Sequence, residues 1–303
     1  MSGFIAGISH NHIAAAGRLL GMLVYILDRR HRRIVRRNLK FIYPEWSISQ
    51  IRTFSRLIFQ NMGITVLEFC QIISFSRSDI LSRVRIKGKK NLLKAIESNK
   101  GVIFISAHLG NWEMSPLAVS IYLEKPILLI ARKIRSKALE WWIYKIRSRF
   151  GNIVVDKKGA LPKMVRTLSK GEMLGLLIDQ ETTHSEGIKV TFFGRTVTAT
   201  PAAAILARRL GSMVLPGFCV RKPGGGLLLI IEPPVTLIKT DDVRTDLQTN
   251  TQIMTDVIEK TVRQYFEQWF WLHKRWKRHY PYLYHEDIAR RQRRREKRKR
   301  LSA

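Results

Sequence analysis

From Val84 onward, short apolar runs alternate with segments of helical periodicity, and this alternation limits the fold more than any other feature of the chain. The strand-like runs are 84–88, 101–107, 126–132, 153–156, 173–179, 189–194, 212–220 and 226–232. Helix-like segments lie between them at 89–99, 112–123, 136–149, 159–170 and 199–210, and 245–271 forms a long closing helix. Such alternation favours a mostly parallel sheet covered by helices on both faces. The sequence therefore predicts an α/β fold.

Two helices are expected before the first strand. The first runs from Phe4 to Leu27, but its apolar core, 19–27, is too short to span a bilayer alone. Six arginines follow it between positions 29 and 37, and an apolar helix followed by a polybasic stretch is typical of a segment held at an anionic membrane face. The alternative is a helix packed on its own domain. Ser47 and Gln50 form a potential capping box for the second helix.

The charge of the chain predicts an anionic partner. The 303 residues carry a formal net charge of +31, which suits nucleic acid, acidic lipid or an acidic substrate. A hydrophobic content of 45% excludes a disordered basic protein. We divide the chain into an N-terminal membrane-associating helix (1–45), an α/β domain (46–285) and a basic tail (286–303). Cys70 and Cys219 stand alone, so neither a disulfide framework nor a metal site is expected.

The strongest candidate for chemistry is the run from His108 to Glu113, which follows the strand 101–107. Functional sites of α/β folds collect at the carboxyl ends of strands. A turn at Gly110 and Asn111 would let Glu113, in the next helix, approach His108 on the strand tip. The pair would then form a base and its orienting carboxylate. A loop histidine beside an unrelated surface glutamate fits the spacing equally well.

Other polar residues stand where predicted strands or helices meet loops. Asp179 directly follows a predicted apolar strand, so we expect it at the rim of the sheet. For each arginine, a solvated surface position is an alternative in so basic a chain. These candidates are Arg132, Arg147, Arg149, Asp179 and Arg195.

The motif at 108–113 resembles the His-x4-acid motif of glycerolipid acyltransferases. More closely, it resembles that of the bacterial lipid A biosynthesis acyltransferases, the lauroyl and myristoyl transferase family. Further similar blocks follow in the family's order over most of the chain, at 27–30, 36–39, 131–132, 147–151, 178–180, 192–195, 199–201, 214–216 and 271–277. Two features depart from the family. The N-terminal apolar segment is more interrupted than in members with a clear transmembrane anchor, and the basic tail has no family counterpart.

The resemblance implies a glycerolipid-acyltransferase-like layered fold preceded by N-terminal membrane-associating helices. It implies transfer of a fatty acyl chain from an acyl-carrier-protein thioester to a hydroxyl of a lipid A precursor, without metal or cofactor, at the cytoplasmic face of the inner membrane. His108 would be the general base, and Glu113 would fix its tautomer and stabilise the imidazolium. The implied substrate-binding residues are Asn111, Arg132, Arg147, Arg149, Asp179 and Arg195.

Two other functions remain as alternatives. The first is acyl transfer from acyl-coenzyme A to a different membrane acceptor, such as a lysophospholipid or a phosphoinositide mannoside. The second is nucleic-acid binding, to which the mixed aromatic and basic residues of 269–284 would contribute by stacking on bases. A nucleic-acid-binding protein gives no reason for the strand-tip histidine motif, and the chain has none of the familiar nucleic-acid motifs. We therefore expect no nucleic-acid partner, and we expect Trp269 and Trp271 to pack in the core.

Overall fold

The computed structural model describes residues 9–183 and 185–286. Within this part of the chain, seven strands form one sheet in the order β1-β9-β8-β2-β5-β3-β4, and β6 and β7 form a separate hairpin. The strands are β1 (Val84–Lys87), β2 (Val102–Ser106), β3 (Ile127–Ala131), β4 (Ile153–Asp156), β5 (Met173–Leu177), β6 (Ile188–Phe192), β7 (Arg195–Ala199), β8 (Met213–Arg221) and β9 (Leu227–Ile231).

Helices precede the sheet, connect its strands and close the described chain. The N-terminal helices are α1 (His10–Leu27), α2 (Arg29–Ile42), α3 (Ile48–Ile72) and α4 (Arg77–Arg83). The later helices are α5 (Lys89–Glu97), α6 (Met114–Leu123), α7 (Lys137–Arg147), α8 (Leu161–Ser169), α9 (Ala202–Leu210) and α10 (Val243–Gln264). The capping box expected at Ser47 and Gln50 is present at the start of α3.

The central strands confirm the predicted, mostly parallel sheet. Strands β8, β2, β5, β3 and β4 run in parallel, and β9 turns back beside β8 with β1 parallel to it. Alternate residues of β2 enter two separate cores, Ile103 and Ile105 on one face and Val102 and Phe104 on the other. This two-sided burial explains why β2 reads as a continuous apolar run.

Four parts of the described structure differ from the predicted elements. Strand β7 and helices α2 and α4 are absent from the predicted set, so four helices precede β1 where two are expected. The chain turns from β6 into β7 at Phe193 and Gly194, which both have positive φ. Helix α10 ends at Gln264, seven residues before the predicted end, and the aromatic residues beyond it pack inward. Trp269 and Trp271 are buried, as predicted.

The N-terminal helices pack on the rest of the protein. Helix α1 lies antiparallel to α3 at nearly backbone contact, since a β-carbon at Gly63 would lie 2.1 Å from the carbonyl oxygen of Gly17. Val35 and Leu39 of α2 are completely buried. Over the described residues, we find no helix with both the length and the apolar character needed to cross a bilayer. The boundary at residue 45 stays a prediction, and residues 287–303 of the proposed tail lie outside the described residues.

Candidate active site

The turn that follows β2 is fixed by backbone contacts to two other parts of the chain. Gly110 has a φ of 60°, and a β-carbon there would lie 2.1 Å from the carbonyl oxygen of Cys219, so the position requires glycine. The amide of Gly110 donates to the carbonyl of Gln268 at 3.0 Å. The amide of Asn111 donates to the carbonyl of Cys219 at 2.8 Å. Strand β8 and the segment after α10 therefore hold the turn in place.

Asn111 supports this turn from beneath. Its side chain is completely buried. Its Oδ1 accepts from the amide of Met114 at 3.0 Å, at the start of α6, and its Nδ2 donates to Glu68 of α3 at 2.9 Å. Arg221 pairs with the same carboxylate at 2.7 Å. Since both ends of the amide are used and the side chain is enclosed, we reassign Asn111 from substrate binding to support of the turn.

The sheet register brings His108 and Asp179 together. Ser106 at the end of β2 pairs with Leu177 at the end of β5, and two further residues on each chain reach His108 and Asp179. Nδ1 of His108 lies 2.8 Å from Oδ1 of Asp179. The other carboxylate oxygen accepts from the backbone amide of His108 at 3.0 Å and from Nε1 of Trp269 at 2.8 Å. Three donors therefore converge on a carboxylate whose side chain is only 1% exposed.

These contacts set the tautomer and the proton affinity of His108. Asp179 can only accept, so Nδ1 of the imidazole carries the proton and the Nε2 lone pair remains for a reactant. Burial lowers the pKa of His108, but the charge of Asp179 and its hydrogen bond outweigh this and raise it above the usual value. For Asp179 the effects have the opposite sign. Burial raises the pKa of its carboxyl group, but the charge of His108 and the donated hydrogen bonds outweigh burial and hold this pKa below its usual value.

The other side of the imidazole faces a polar side chain and two aromatic rings. The side-chain nitrogen of Gln180 lies 3.3 Å from Nε2 of His108. The rings of Trp112 and Phe270 lie 5.3 and 6.2 Å from the imidazole centroid. The imidazole is thus held on three sides, and the Gln180 amide lies at its Nε2.

Glu113 is paired with Arg147. Nε of Arg147 donates to Oε2 of Glu113 at 2.8 Å, and Nη2 donates to Oε1 at 2.5 Å. Nε1 of Trp112 also donates to Oε1, at 3.1 Å. The fork of the guanidinium matches the carboxylate in a bidentate pair. The orienting carboxylate of His108 is therefore Asp179, which corrects the expected pairing of His108 with Glu113. Glu113 contributes only at a distance, by its charge.

A cavity of about 520 Å³ opens beside His108, within the usual size of small-molecule sites. Its deeper part lies between one face of the sheet and α6, and is lined by the apolar Phe104, Val119, Ile127, Leu129 and by Gly175. Its polar lining includes His108, Glu113, Arg132, Arg147, Lys157, Gln180 and Glu181. The cavity thus joins an apolar compartment to an opening that carries three cations and two carboxylates, and His108 belongs to its polar lining.

The motif and its surroundings agree with the comparison to known proteins. Residues 4–278 match the family described as bacterial lipid A biosynthesis acyltransferase. The chain belongs to this family. Its relatives include the lipid A biosynthesis lauroyltransferase of Escherichia coli (strain K12), 26% identical over 260 residues, which span 85% of this chain and 83% of that protein. The palmitoleoyltransferase of the same strain is 24% identical over 263 residues, or 86% of this chain and 83% of that protein.

The structure was also compared with solved structures. The match to the 1-acyl-sn-glycerophosphate acyltransferase of Thermotoga maritima covers 86% of this chain and 97% of that protein's chain, with 13% sequence identity and a TM-score of 0.39. Family membership makes the protein an acyltransferase and confirms the resemblance seen in the sequence. The mostly parallel sheet of the present protein, flanked by helices, agrees with the predicted fold.

The remaining predicted site residues of this acyltransferase divide into two groups. Arg132 is exposed and lines the cavity together with Arg147, so substrate binding stays a prediction for both. Arg149 instead donates to the carbonyls of Ile73 and Phe75 at the end of α3. Arg195 lies over the ring of Phe41, 4.7 Å from its centroid. We reassign Arg149 and Arg195 to structural contacts, because neither lines the cavity.

Two site residues of the acyltransferase are absent from the predicted set. Gln180 directly follows Asp179, so its place at the strand end was the available signal. Trp269 gave no such signal, because its contact with Asp179 joins segments 90 positions apart. Within 9–183 and 185–286, no three His, Cys, Asp or Glu side chains are grouped so that they could hold a metal ion. The expectation of a metal-free reaction stays a prediction.

Proposed function

We propose that this acyltransferase moves a fatty acyl chain from an acyl-carrier-protein thioester to a hydroxyl of a lipid A precursor, at the cytoplasmic face of the inner membrane. One observation carries the proposal: the oriented imidazole of His108 lines the same cavity as a large set of apolar side chains. The family and the names of its relatives support the lipid A precursor as acceptor. The carrier-protein donor follows from the resemblance of the sequence to the family.

The length of the cavity suits an acyl chain. Ile127, deep in the lining, pairs with Met173 at the start of β5. His108 lies level with Asp179, six residues further along that strand direction. At about 3.3 Å per residue, the lining extends roughly 20 Å along the sheet. Gly175 helps to keep this path open, because a β-carbon there would lie 2.9 Å from Cδ2 of Leu129.

The reaction follows from the state of the imidazole. Neutral His108 takes the proton of the acceptor hydroxyl at Nε2 while the oxygen attacks the thioester carbonyl carbon. The resulting tetrahedral intermediate expels the thiolate as the carbon–sulfur bond breaks, and the thiolate takes the proton from the imidazolium. Asp179 stabilises the imidazolium between these two steps, as the buried carboxylate does in a Ser-His-Asp triad. The acceptor attacks directly, so an acyl-enzyme is not required.

The cationic opening suits an anionic reactant. Arg132 and Arg147 both line this end of the cavity. A guanidinium binds a phosphate oxygen pair as it binds a carboxylate. Because Glu113 already holds Arg147 by two hydrogen bonds, the guanidinium is presented in a fixed orientation. We assign to this pair the positioning of a phosphate of the acceptor or of the donor's pantetheine arm.

The N-terminal helices supply a means of membrane attachment. Leu19, Leu23 and Leu27 form an exposed apolar stripe on α1, on the side that does not pack against α3. Helix α2 follows with its arginines. An exposed apolar stripe followed by arginines fits a helix lying in the interface of an anionic leaflet.

The test is acyl transfer by the purified protein, followed by mass spectrometry of the acceptor. Four reactions combine an acyl-carrier-protein or acyl-coenzyme A donor with a lipid A precursor or a lysophospholipid acceptor. We expect product with the carrier-protein donor and the lipid A precursor. His108→Ala should lower its rate by roughly 10²-fold or more.

His31→Ala is the matched control, because Nδ1 of His31 is also bound to an aspartate, Asp28, but on the surface of α2. It should keep the wild-type rate. Transfer to the lysophospholipid alone, or only from coenzyme A, would replace the proposed acceptor or donor. Equal rates for His108→Ala and the wild-type protein would refute the mechanism.

A further inference from the structure

A second exposed apolar surface lies beside the cavity, on helix α7. Trp141 and Tyr144 lie on the outward face of this helix, three residues apart, and Trp141 is 62% exposed. Ile134 in the preceding loop is also exposed. Large aromatic side chains grouped on one exposed helix face are a mark of an interaction site. We call residues 133–147 the mouth segment.

The mouth segment is fastened at its ends and along its inner face. Ile134 and Arg147 line the cavity, and Arg147 is held by Glu113. Ile146 is fully buried, and the ring of Trp142 packs edge-on against Phe69 of α3 at 5.4 Å. The outer face is therefore presented by a helix that is already packed, directly beside the entrance that a substrate must use.

Cations accompany the apolar side chains of this face. Arg135, Lys137 and Lys145 are exposed, and the ammonium of Lys145 lies over the ring of Trp141 at 5.5 Å from its centroid. Glu140 is the acidic residue of this segment. Tryptophan and tyrosine favour the headgroup level of a bilayer, and neighbouring lysines and arginines favour anionic lipid. This combination fits the surface of an anionic membrane.

The apolar surface continues onto α3. Val66 of α3 and Ile73, which directly follows this helix, are partly exposed, and Phe69 lies between them at helical spacing. Phe69 is also the residue that contacts Trp142. An exposed apolar path thus runs from α3, the helix that carries α1, to the mouth segment.

We propose that the mouth segment is a second membrane-contact site, in which Trp141 and Tyr144 enter the headgroup region of an anionic leaflet and set the cavity entrance against the lipid that holds the acceptor. The proposal rests on the membrane-held acceptor of the proposed function. It explains why an apolar helix face is left uncovered at the cavity entrance. An acidic carrier protein is a different occupant for the same face, and the test separates the two.

The test places a fluorescent probe on the mouth segment. In a Cys70→Ser background, in which Cys219 is buried, Trp141→Cys is labelled with an environment-sensitive dye. Ile238→Cys is the matched control. Ile238 is 44% exposed. It lies near the amino ends of the parallel strands, because the backbone amide of Val235, three residues earlier, donates a hydrogen bond to the carbonyl of Val214 near the start of β8. The vesicles contain phosphatidylethanolamine and phosphatidylglycerol with a nitroxide near the headgroups.

We expect the nitroxide lipid to quench the dye at position 141 and not at position 238. Vesicles of phosphatidylcholine should quench it less. The proposal is overturned if the protein sediments with the vesicles while the dye at 141 is not quenched. It is also overturned if the dye responds to the acyl carrier protein and not to lipid. Neither readout requires transferase activity, so the quenching result stands or falls apart from the proposed reaction.

A kinetic comparison tests the consequence for turnover. Trp141→Ser should lower transfer to an acceptor in vesicles by roughly tenfold, the scale of one large apolar side chain leaving an apolar environment. It should leave transfer in detergent micelles unchanged, and Trp141→Phe should restore most of the vesicle rate. A parallel loss in vesicles and micelles would mean that Trp141 acts on folding and would refute the proposed contact. If the wild-type protein transfers no acyl chain in either system, the proposed function fails, and the quenching result remains.

Discussion

Asp179→Asn is the most informative single change in the candidate active site. Three donors converge on Asp179: Nδ1 of His108, the backbone amide of His108 and Nε1 of Trp269. A carboxylate accepts all three, but an amide has only one oxygen and adds an N–H₂ group. In one orientation, the N–H₂ group of the asparagine faces the backbone amide of His108 and Nε1 of Trp269. In the other it faces Nδ1–H, unless the imidazole moves its proton from Nδ1 to Nε2. That shift would remove the lone pair that takes the proton of the acceptor hydroxyl.

The structure sets the expected size of the loss. The carboxylate is buried and no water can replace it easily, so the imidazolium formed during the reaction would lose its partner in a poorly solvated site. In a triad with the same geometry, the corresponding change lowers kcat by about 10⁴-fold. We expect a loss of about 10³- to 10⁴-fold here. The measurement is the rate of acyl transfer under saturating donor and acceptor.

The pH profile supplies an independent readout. The pairing with Asp179 raises the pKa of His108, so the neutral base forms only above the usual histidine value of about 6.5. In the wild-type protein, kcat/KM should therefore fall as pH decreases through this raised pKa. Without the carboxylate, the imidazole releases its proton at lower pH. The residual activity of Asp179→Asn should then persist to lower pH than that of the wild-type protein.

Asp246→Asn is the matched control for this change. Asp246 is also a buried aspartate with charged and neutral donors, Arg208 and Thr240, but it lies on α10. Its replacement should lower thermal stability without moving the acidic limb of the pH profile. If Asp179→Asn keeps a near-wild-type rate, or keeps the wild-type acidic limb, then Asp179 does not control the proton affinity of His108 and the reasoning fails.

Three further changes test other parts of the structure. Glu113→Gln removes the charge that holds Arg147, so the rate of acyl transfer should fall by roughly tenfold. The acidic limb of its pH–rate profile should move less than that of Asp179→Asn, which pH profiles of both variants measure. Gly175→Val narrows the cavity, so kcat/KM, measured with donors of increasing chain length, should fall more for long than for short acyl chains. An equal loss for all donors would contradict binding of the acyl chain in this cavity. Gly63→Val forces α1 away from α3, so the free energy of unfolding should fall by about 3 kcal/mol in denaturant titrations, and an unchanged midpoint would contradict the close packing.

The strands could be predicted because their signal is local. Each core strand is an apolar run bounded by glycine or polar residues, and β2 and β5 are apolar because both of their faces are covered. Strand β7 escaped prediction because its alternating residues pair only with β6, across a tight turn at Phe193 and Gly194. The early end of α10 depends on tertiary packing of Trp269 and Trp271, which local periodicity does not report.

The order of the strands explains why the partner of His108 could not be read from the sequence. Asp179 lies 71 positions from His108, and the two meet only because β5 lies next to β2 in the sheet. Spacing along the chain favoured Glu113 instead, which starts the following helix. Residues at the carboxyl ends of parallel strands can be predicted as a group, and this group includes Asp179, but with substrate binding as its expected role and not the contact with His108. Which of them touch is decided by sheet order and register, which periodicity cannot supply.

The six residues from His108 to Glu113 divide between chemistry and support. His108 presents Nε2 to the cavity, and Trp112 packs against its ring. Gly110 and Asn111 form the turn and tie it to β8 and α3. Glu113 fixes the guanidinium of Arg147 at the cavity. The histidine motif therefore places the proposed base and a cation in the lining of one cavity, but it does not orient the imidazole. The imidazole is oriented by a hydrogen-bond acceptor, Asp179, at the end of the neighbouring strand. A protein with the motif but without a residue equivalent to Asp179 should therefore still bind its substrates, but should transfer acyl chains slowly.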